Sequence, residues 1–471
     1  MINEKVLQDV YAYIDAHQDD IVRELSDIAS IKSVSDASSD VKPHGQGCRD
    51  AMACMLKKGE DAGFETHNYE HYVGCITLDN GAEDSIGMWA HLDVVPEGEG
   101  WMSDPYKPVV RDGLLFGRGV GDNKSAAIGG LYLQKAIRDL NIPMKHNLKL
   151  FLGTAEETGM ADIEYYVANY PVPKFSFVPD AGFPGGCGEF GRVQYYLVSK
   201  KPLSSQVKDF VAGSVFNIIP NKAYILLEDN GQIDTSAIPE EGYSITKENG
   251  NIKIEAYGLS KHAAAPEGSV NAIHQLTKVL CDLPGLCEED KKIFKFLTNV
   301  NNDSYGTFLG IANTDEVSGQ TVSSGTVIGF KNGIVSLLND CRHCVTNSND
   351  FIIDTLKENS AKYDFDVVVK GQSKPYYIDK NGPIVKTITQ IYREETGDAE
   401  GAPQISKGGT YAGKIPNSVA VGLVLRGGEA PDYIQPGHGS AHQPDEYISI
   451  EGYMKGIKLF AKMLLSVDEV L

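Results

Sequence analysis

His91 and Asp93, in the run Gly87-Met88-Trp89-Ala90-His91-Leu92-Asp93-Val94-Val95-Pro96, are the first residues of this chain whose types and spacing could do chemistry. On an extended strand, residues two apart point to one side. A metal-ligating imidazole needs its ring held and its tautomer fixed, and a neighbouring carboxylate can do both. Taken alone, the pair is better read as polar residues satisfied by the backbone at a strand end. The chain offers more acids, however. Asp122 precedes a helix predicted from Ser125 onward, where it either benefits from the helix dipole or bridges two metals. Glu156 and Glu157 end the apolar run at residues 148–155, and adjacent carboxylates repel unless cations or a shared proton compensate. Asp180 closes Phe175-Ser176-Phe177-Val178-Pro179, and the late run Pro436-Gly437-His438-Gly439-Ser440-Ala441-His442 offers a further imidazole. Imidazole and carboxylate donors without thiolate suit zinc, manganese or cobalt in a hydrolytic site with open positions. Two ions need about this many ligands, so the pattern predicts a two-metal hydrolase.

The elements that must position these residues are α/β in texture. Three apolar strands and a Gly-rich turn each deliver an acid or a His at the same kind of position, the edge at which open α/β sheets bind ligands. Residues 186–372 differ: strand-like runs alternate with Asn-Gly turns, as at Asn249-Gly250, and a helix is predicted near Ser269. They are predicted to form an inserted α+β domain with its own sheet, holding Asn217, His262 and Arg342. Helical texture returns after Pro375-Tyr376-Tyr377, followed by Lys407-Gly408-Gly409-Thr410-Tyr411-Ala412, a strand over residues 419–425 and a closing helix over 450–465. The catalytic domain is therefore expected to comprise residues 1–185 and 373–471, with a mixed, mostly parallel sheet flanked by helices.

Bulk properties narrow the classes. At 471 residues the length predicts about two to three domains. A net charge of −21 disfavours nucleic-acid and anionic-membrane partners. The acids near the N-terminus do not fit a secretory signal, and no apolar run is long enough to span a bilayer. Eight scattered cysteines are not a disulfide scaffold, and a cytoplasmic location is expected. Cys341-Arg342-His343-Cys344 invites a zinc or redox reading, set aside for want of a second Cys pair.

The order and wording of the motifs resemble the M20 metallopeptidase family, in particular its bacterial dipeptidase branch, similar to peptidase V and Xaa-His dipeptidases. The pieces are His91-Leu92-Asp93, Gly117-Arg118-Gly119 with Asp122-Asn123-Lys124, Glu156-Glu157-Thr158-Gly159, Pro179-Asp180-Ala181, Gly258 to His262, Gly408-Gly409-Thr410-Tyr411, and His442 with Asp445-Glu446. The resemblance implies a zinc-exopeptidase-like catalytic domain with an inserted lid and two divalent ions, zinc first, manganese or cobalt as alternatives. It implies His91 and Asp180 on one ion, Glu157 and His442 on the other, and Asp122 bridging both; the family spacing selects His442 over His438. Asp93 would clamp the His91 ring. Glu156 would be the general base towards a metal-bridged water, with His262 as oxyanion donor. Arg342, helped by Asn217, Gly408, Gly409 and Thr410, would take the terminal carboxylate of a dipeptide. Asn123 and Ser125 depart from the commonest family wording, where Asp and Gly stand. The long insert implies a monomer with His262 acting in cis, a homodimer being the alternative. The same superfamily also holds deacylases of N-acyl amino acids; a non-catalytic peptide-binding protein is the remaining competitor.

Overall fold

Residues 86–90 are apolar without alternation, the pattern of a strand covered on both faces. In the computed structural model they lie in the strand Ser85–His91, buried from Ile86 onward. The structure describes residues 3–425 and 430–471. The chain divides into two compact units, Met1–Gly188 with Tyr377–Gln404 and Gly409–Leu471, and Glu189–Tyr376 with Ile405–Gly408.

In the first unit Ser85–His91 pairs in parallel with Asn147–Gly153 on one side and Phe175–Val178 on the other, and Phe175–Val178 pairs in parallel with Ser418–Ala420. Antiparallel strands flank this parallel centre: Val73–Leu78 and Glu65–Tyr69 beyond Asn147–Gly153, and Gly186–Glu189 beyond Ser418–Ala420. The sheet is thus mixed, with helices including Lys124–Asp139 and Ile450–Val470 packed against it. Trp89 stacks on Phe151 with ring centroids 3.8 Å apart, and its indole N–H donates to Ser176 Oγ at 3.0 Å, so the one polar atom of a fully buried ring is satisfied. The strand expected over residues 419–425 stops at Ala420. Its partner ends at Val178, Val421 N donates to Val178 O, and Leu425 N turns to Gly452 O on the closing helix instead. That helix runs to Val470, longer than its apolar periodicity suggested, and Ser449 caps it.

The second unit carries an eight-stranded sheet in which every pairing with a described register is antiparallel. Gly191–Ser199 alternates buried and half-buried residues, the mark of a sheet with one covered face. The expected turn at Asn249-Gly250 joins Tyr243–Glu248 to Asn251–Tyr257, both turn residues having positive φ as a two-residue hairpin requires. The predicted helix is Ala272–Cys281, capped by the Asn271 side chain. Residues 373–376 and 405–408, expected in the first domain, belong to the second unit. Phe190 N donates to Ser406 O and Arg342 Nη1 to Lys407 O, which holds 405–408 there. Among the described residues no helix is long and apolar enough to cross a membrane. Cys341 and Cys344 are buried and free, and Cys344 Sγ is hydrogen-bonded to Thr321 Oγ1.

Candidate metal centre

The parallel strands deliver their polar residues to one edge of the first unit. His91 ends its strand, Glu156 and Glu157 follow Asn147–Gly153, and Asp180 follows Phe175–Val178. His91 is buried, with Nε2 2.9 Å from Asp122 Oδ1 and 3.9 Å from Asp180 Oδ2. The other Asp122 oxygen, Oδ2, lies 3.0 Å from His442 Nε2, which is also 2.9 Å from Glu157 Oε1. Asp122 therefore stands between two imidazoles, one at each of its oxygens. Ligand atoms of His91, Asp122 and Glu157, and separately of His91, Glu156 and Asp180, gather within 4.8 Å of one another. His438 is not part of this cluster. Its Nδ1 pairs with Asp445 Oδ2 at 2.6 Å, and Asp445 Oδ1 accepts from Met102 N.

Asp93 differs from expectation in what it holds. His91 Nδ1 meets the Asp93 backbone oxygen at 2.9 Å, and the Asp93 carboxylate lies farther off, at 3.5 Å. The Asp93 carboxylate instead accepts from the backbone N–H groups of Glu156 and Glu157, 3.1 Å each. The carboxylate orients the acidic loop, and the Asp93 backbone carbonyl orients the ring. Asn123, joined to Asp122 by a cis peptide bond, donates to Pro179 O and Asp180 Oδ1, tying the Asp122 loop to the third strand end.

Sequence reasoning gives no task to Glu446, yet this residue builds the loop that carries Asp122. Its Oε1 accepts from Gly121 N and Asp122 N, and its Oε2 from Gly119 N and Arg118 Nη1 at 2.6 Å. Gly119 has φ +86°, and a Cβ there would stand 2.8 Å from Val94 Cγ1, so only glycine fits. Asp162 also escapes a reading of the motifs. Buried, it accepts from Thr154 N and Ala155 N, just ahead of Glu156, and from the Tyr411 hydroxyl, beside the Gly408-Gly409-Thr410 segment. The motif of His442 with Asp445-Glu446 marks Glu446 without revealing this task, and no motif marks Asp162, because their partners are distant in sequence or are backbone groups.

Crowding shapes the electrostatics. Burial, reinforced by the charge of Asp180, raises the Glu156 carboxyl well above the usual range. Burial would also raise Asp122, but hydrogen bonds from His442 and His91 outweigh it and hold this carboxyl low. Burial opposes charge on His91, yet its Asp122 and Asp93 neighbours raise it well above an ordinary imidazole. Hydrogen bonds to Asp122 and then Glu157 raise His442 to about 10. Four carboxylates thus draw positive charge onto two imidazoles. This hard, thiolate-free oxygen and nitrogen set fits divalent ions such as zinc, manganese or cobalt.

In the second unit Arg342 is buried, its guanidinium held by Asp340 Oδ2 (2.8 and 3.1 Å) and Lys407 O. His262 Nδ1 accepts from Ala264 N, which leaves the proton of a neutral ring to Nε2; Nε2 lies 3.3 Å from Asn217 Nδ2, itself a donor, so these two atoms do not hydrogen-bond in that tautomer. Burial, then the Arg342 charge, lowers the His262 pKa and favours that neutral ring. Gly408 N donates to Ser406 Oγ, and Thr410 caps the short turn Tyr411–Gly413.

Known proteins resemble this chain along nearly its whole length. The chain is 30% identical over 466 residues to YtjP of Bacillus subtilis (strain 168), provisionally named a dipeptidase, covering 95% of this chain and 97% of that one. It is 29% identical to a Beta-Ala-Xaa dipeptidase of Lactobacillus delbrueckii subsp. lactis, with 97% and 98% covered. Human carnosine dipeptidase 1 shares the fold at a TM-score of 0.57 and 16% identity, with 98% and 99% of the chains covered. A dinuclear metal-binding peptidase of Bacillus subtilis, YXEP, does so at 0.53 and 12%, with 97% and 100% covered. Residues 87–466 match the profile of peptidase family M20/M25/M40, and the chain belongs to that family as a peptide-bond hydrolase.

Proposed function

We propose that this chain is a two-metal dipeptidase acting on substrates with a free N-terminus and a free C-terminal carboxylate. The observation that carries the reading is Asp122, with an imidazole at 2.9 Å from one oxygen and another at 3.0 Å from the other. A carboxylate so flanked suits a bridge between two cations. His91, Asp122 and Asp180 would hold one ion, and Asp122, Glu157 and His442 the other. When bound, such ions lower the pKa of water towards neutrality and polarise a scissile carbonyl. Glu156, as carboxylate, takes a proton from the attacking water and delivers it to the leaving amine nitrogen. His262 Nε2–H donates to the developing oxyanion. Arg342 takes the substrate carboxylate with its planar fork, aided by Asn217, Gly408, Gly409 and Thr410. A carboxylate requirement at that position limits substrates to two residues.

The test is hydrolysis by chelator-stripped protein given back zinc, manganese or cobalt one at a time. Cleavage of Ala-Ala but not of Ala-Ala-Ala or N-acetyl-alanine is the expected result. Cleavage of the acylated compound alone would replace the dipeptidase reading with deacylation.

A further inference from the structure

With Arg342 as the carboxylate clamp, a second arginine is left without a task. Arg192, on Gly191–Ser199, is the direct cross-strand partner of Arg342, on Ile334–His343. Opposed residues of an antiparallel pair share a face, and like charges there repel. One carboxylate stands between them. Asp340 Oδ1 accepts from Arg192 Nε at 3.0 Å, while its Oδ2 is occupied by Arg342. Asp340 is fully buried, and two guanidinium groups sharing it leave one positive charge over. Among the described residues Arg192 Nη2 is buried with no hydrogen-bond partner. The Arg192 guanidinium also lies 5.0 Å from the Phe216 ring centroid, and Lys370 Nζ lies 5.7 Å from the same centroid, bringing a second excess charge. Phe216 directly precedes Asn217, whose amide meets His262. In a chain of net charge −21, two uncompensated cations at one corner do not follow from composition.

We propose that this corner is a subsite for a second anionic group on the substrate's C-terminal residue, so that the enzyme favours dipeptides ending in Asp or Glu. The subsite rests on the dipeptidase reading, in which Arg342 takes the α-carboxylate. Arg192 Nη2, with Lys370 nearby, takes the side-chain carboxylate, and Arg192 determines specificity. Two excess positive charges match the two negative charges of such a residue. A neutral side chain would leave Arg192 Nη2 buried and unpaired.

The experiment compares kcat/KM for Ala-Glu and Ala-Gln, which differ in charge but hardly in shape, on the metal-loaded enzyme. Wild type is expected to favour Ala-Glu by about tenfold or more, as for a charge-assisted contact. That ratio should fall about tenfold in Arg192→Gln, less in the exposed Lys370→Gln, and recover partly in Arg192→Lys. A wild-type ratio of one or below overturns the proposal. So does a ratio unchanged in Arg192→Gln while both substrates suffer equally, which would make Arg192 only a support for Asp340. Turnover of Ala-Gln separates the two levels: with it, the dipeptidase reading stands whatever the ratio; if neither peptide is cleaved, both readings fall.

Discussion

The two units hold opposite electrostatic excesses. In the first, Asp122, Glu156, Glu157 and Asp180 crowd around His91 and His442. In the second, Arg192 and Arg342 share Asp340, with Lys370 close by. The responses differ because the groups differ. Carboxylates and imidazoles can trade protons, so His442 is raised to about 10 and Glu156 is pushed up by burial. Guanidinium groups cannot deprotonate, so the second unit confines two of them around one carboxylate and leaves a donor unpaired. The first excess suits cations and the second suits an anion, the two things a metallo-dipeptidase must bind.

The largest effect expected of any substitution that tests this contrast is in Glu156→Gln. If Glu156 is the proton carrier and not a ligand, kcat falls about 10²–10⁴-fold while two ions per chain remain by elemental analysis. Loss of metal along with activity would move Glu156 into the ligand set. Next is Glu446→Gln, which keeps the shape but turns an amide N–H towards groups that are all donors. Metal affinity should fall about 10–100-fold, visible in cobalt titrations as a weakened absorption spectrum, with the fold retained by circular dichroism. Unaltered affinity would mean that Arg118 and the glycines hold the Asp122 loop unaided. In the second unit, Arg342→Lys exchanges a fork for a point charge. KM should rise about tenfold with kcat far less affected, and an effect on kcat alone would remove Arg342 as the carboxylate clamp.

The smallest effect comes from Asp162, a buried acid of the first unit that hydrogen-bond donors satisfy. Burial, then the charge of Asp93, raises its pKa from 3.8 to about 6. Between those values the folded chain binds a proton that the unfolded chain has released, so this residue's contribution makes the protein less stable as pH rises from about 4 to 6, and flat above. The size is on the order of 1–3 kcal/mol. Thermal melts of wild type and Asp162→Asn should differ in slope over that window, and parallel curves would deny the shift.

Much of the candidate site was legible because several of its polar residues end apolar strands. A strand buried on both faces announces itself by composition, and a polar residue at its end must reach a ligand, the backbone or water. His91, Glu156, Glu157 and Asp180 obey that rule. The boundary at residues 405–408 was not legible, because those residues are held in the second unit by a backbone hydrogen bond from Phe190 and by the guanidinium of Arg342 on a backbone carbonyl, contacts that leave no mark on the types of residues 405–408. Asp93 stands out for its proximity to His91, but its carboxylate serves Glu156 and Glu157, and its own backbone carbonyl, just past the strand end, is the nearer acceptor for the imidazole.

The sequence by itself determined the α/β texture, the edge at which the acids gather and the family. Local periodicity and motif spacing are properties of neighbouring residues. Tertiary structure alone decided that Glu446 closes around the Asp122 loop, 324 residues away, and that Arg192 faces Arg342 across two strands. Such pairings depend on strand register and loop closure, which set which distant side chains share a face. Local spacing carries no record of either.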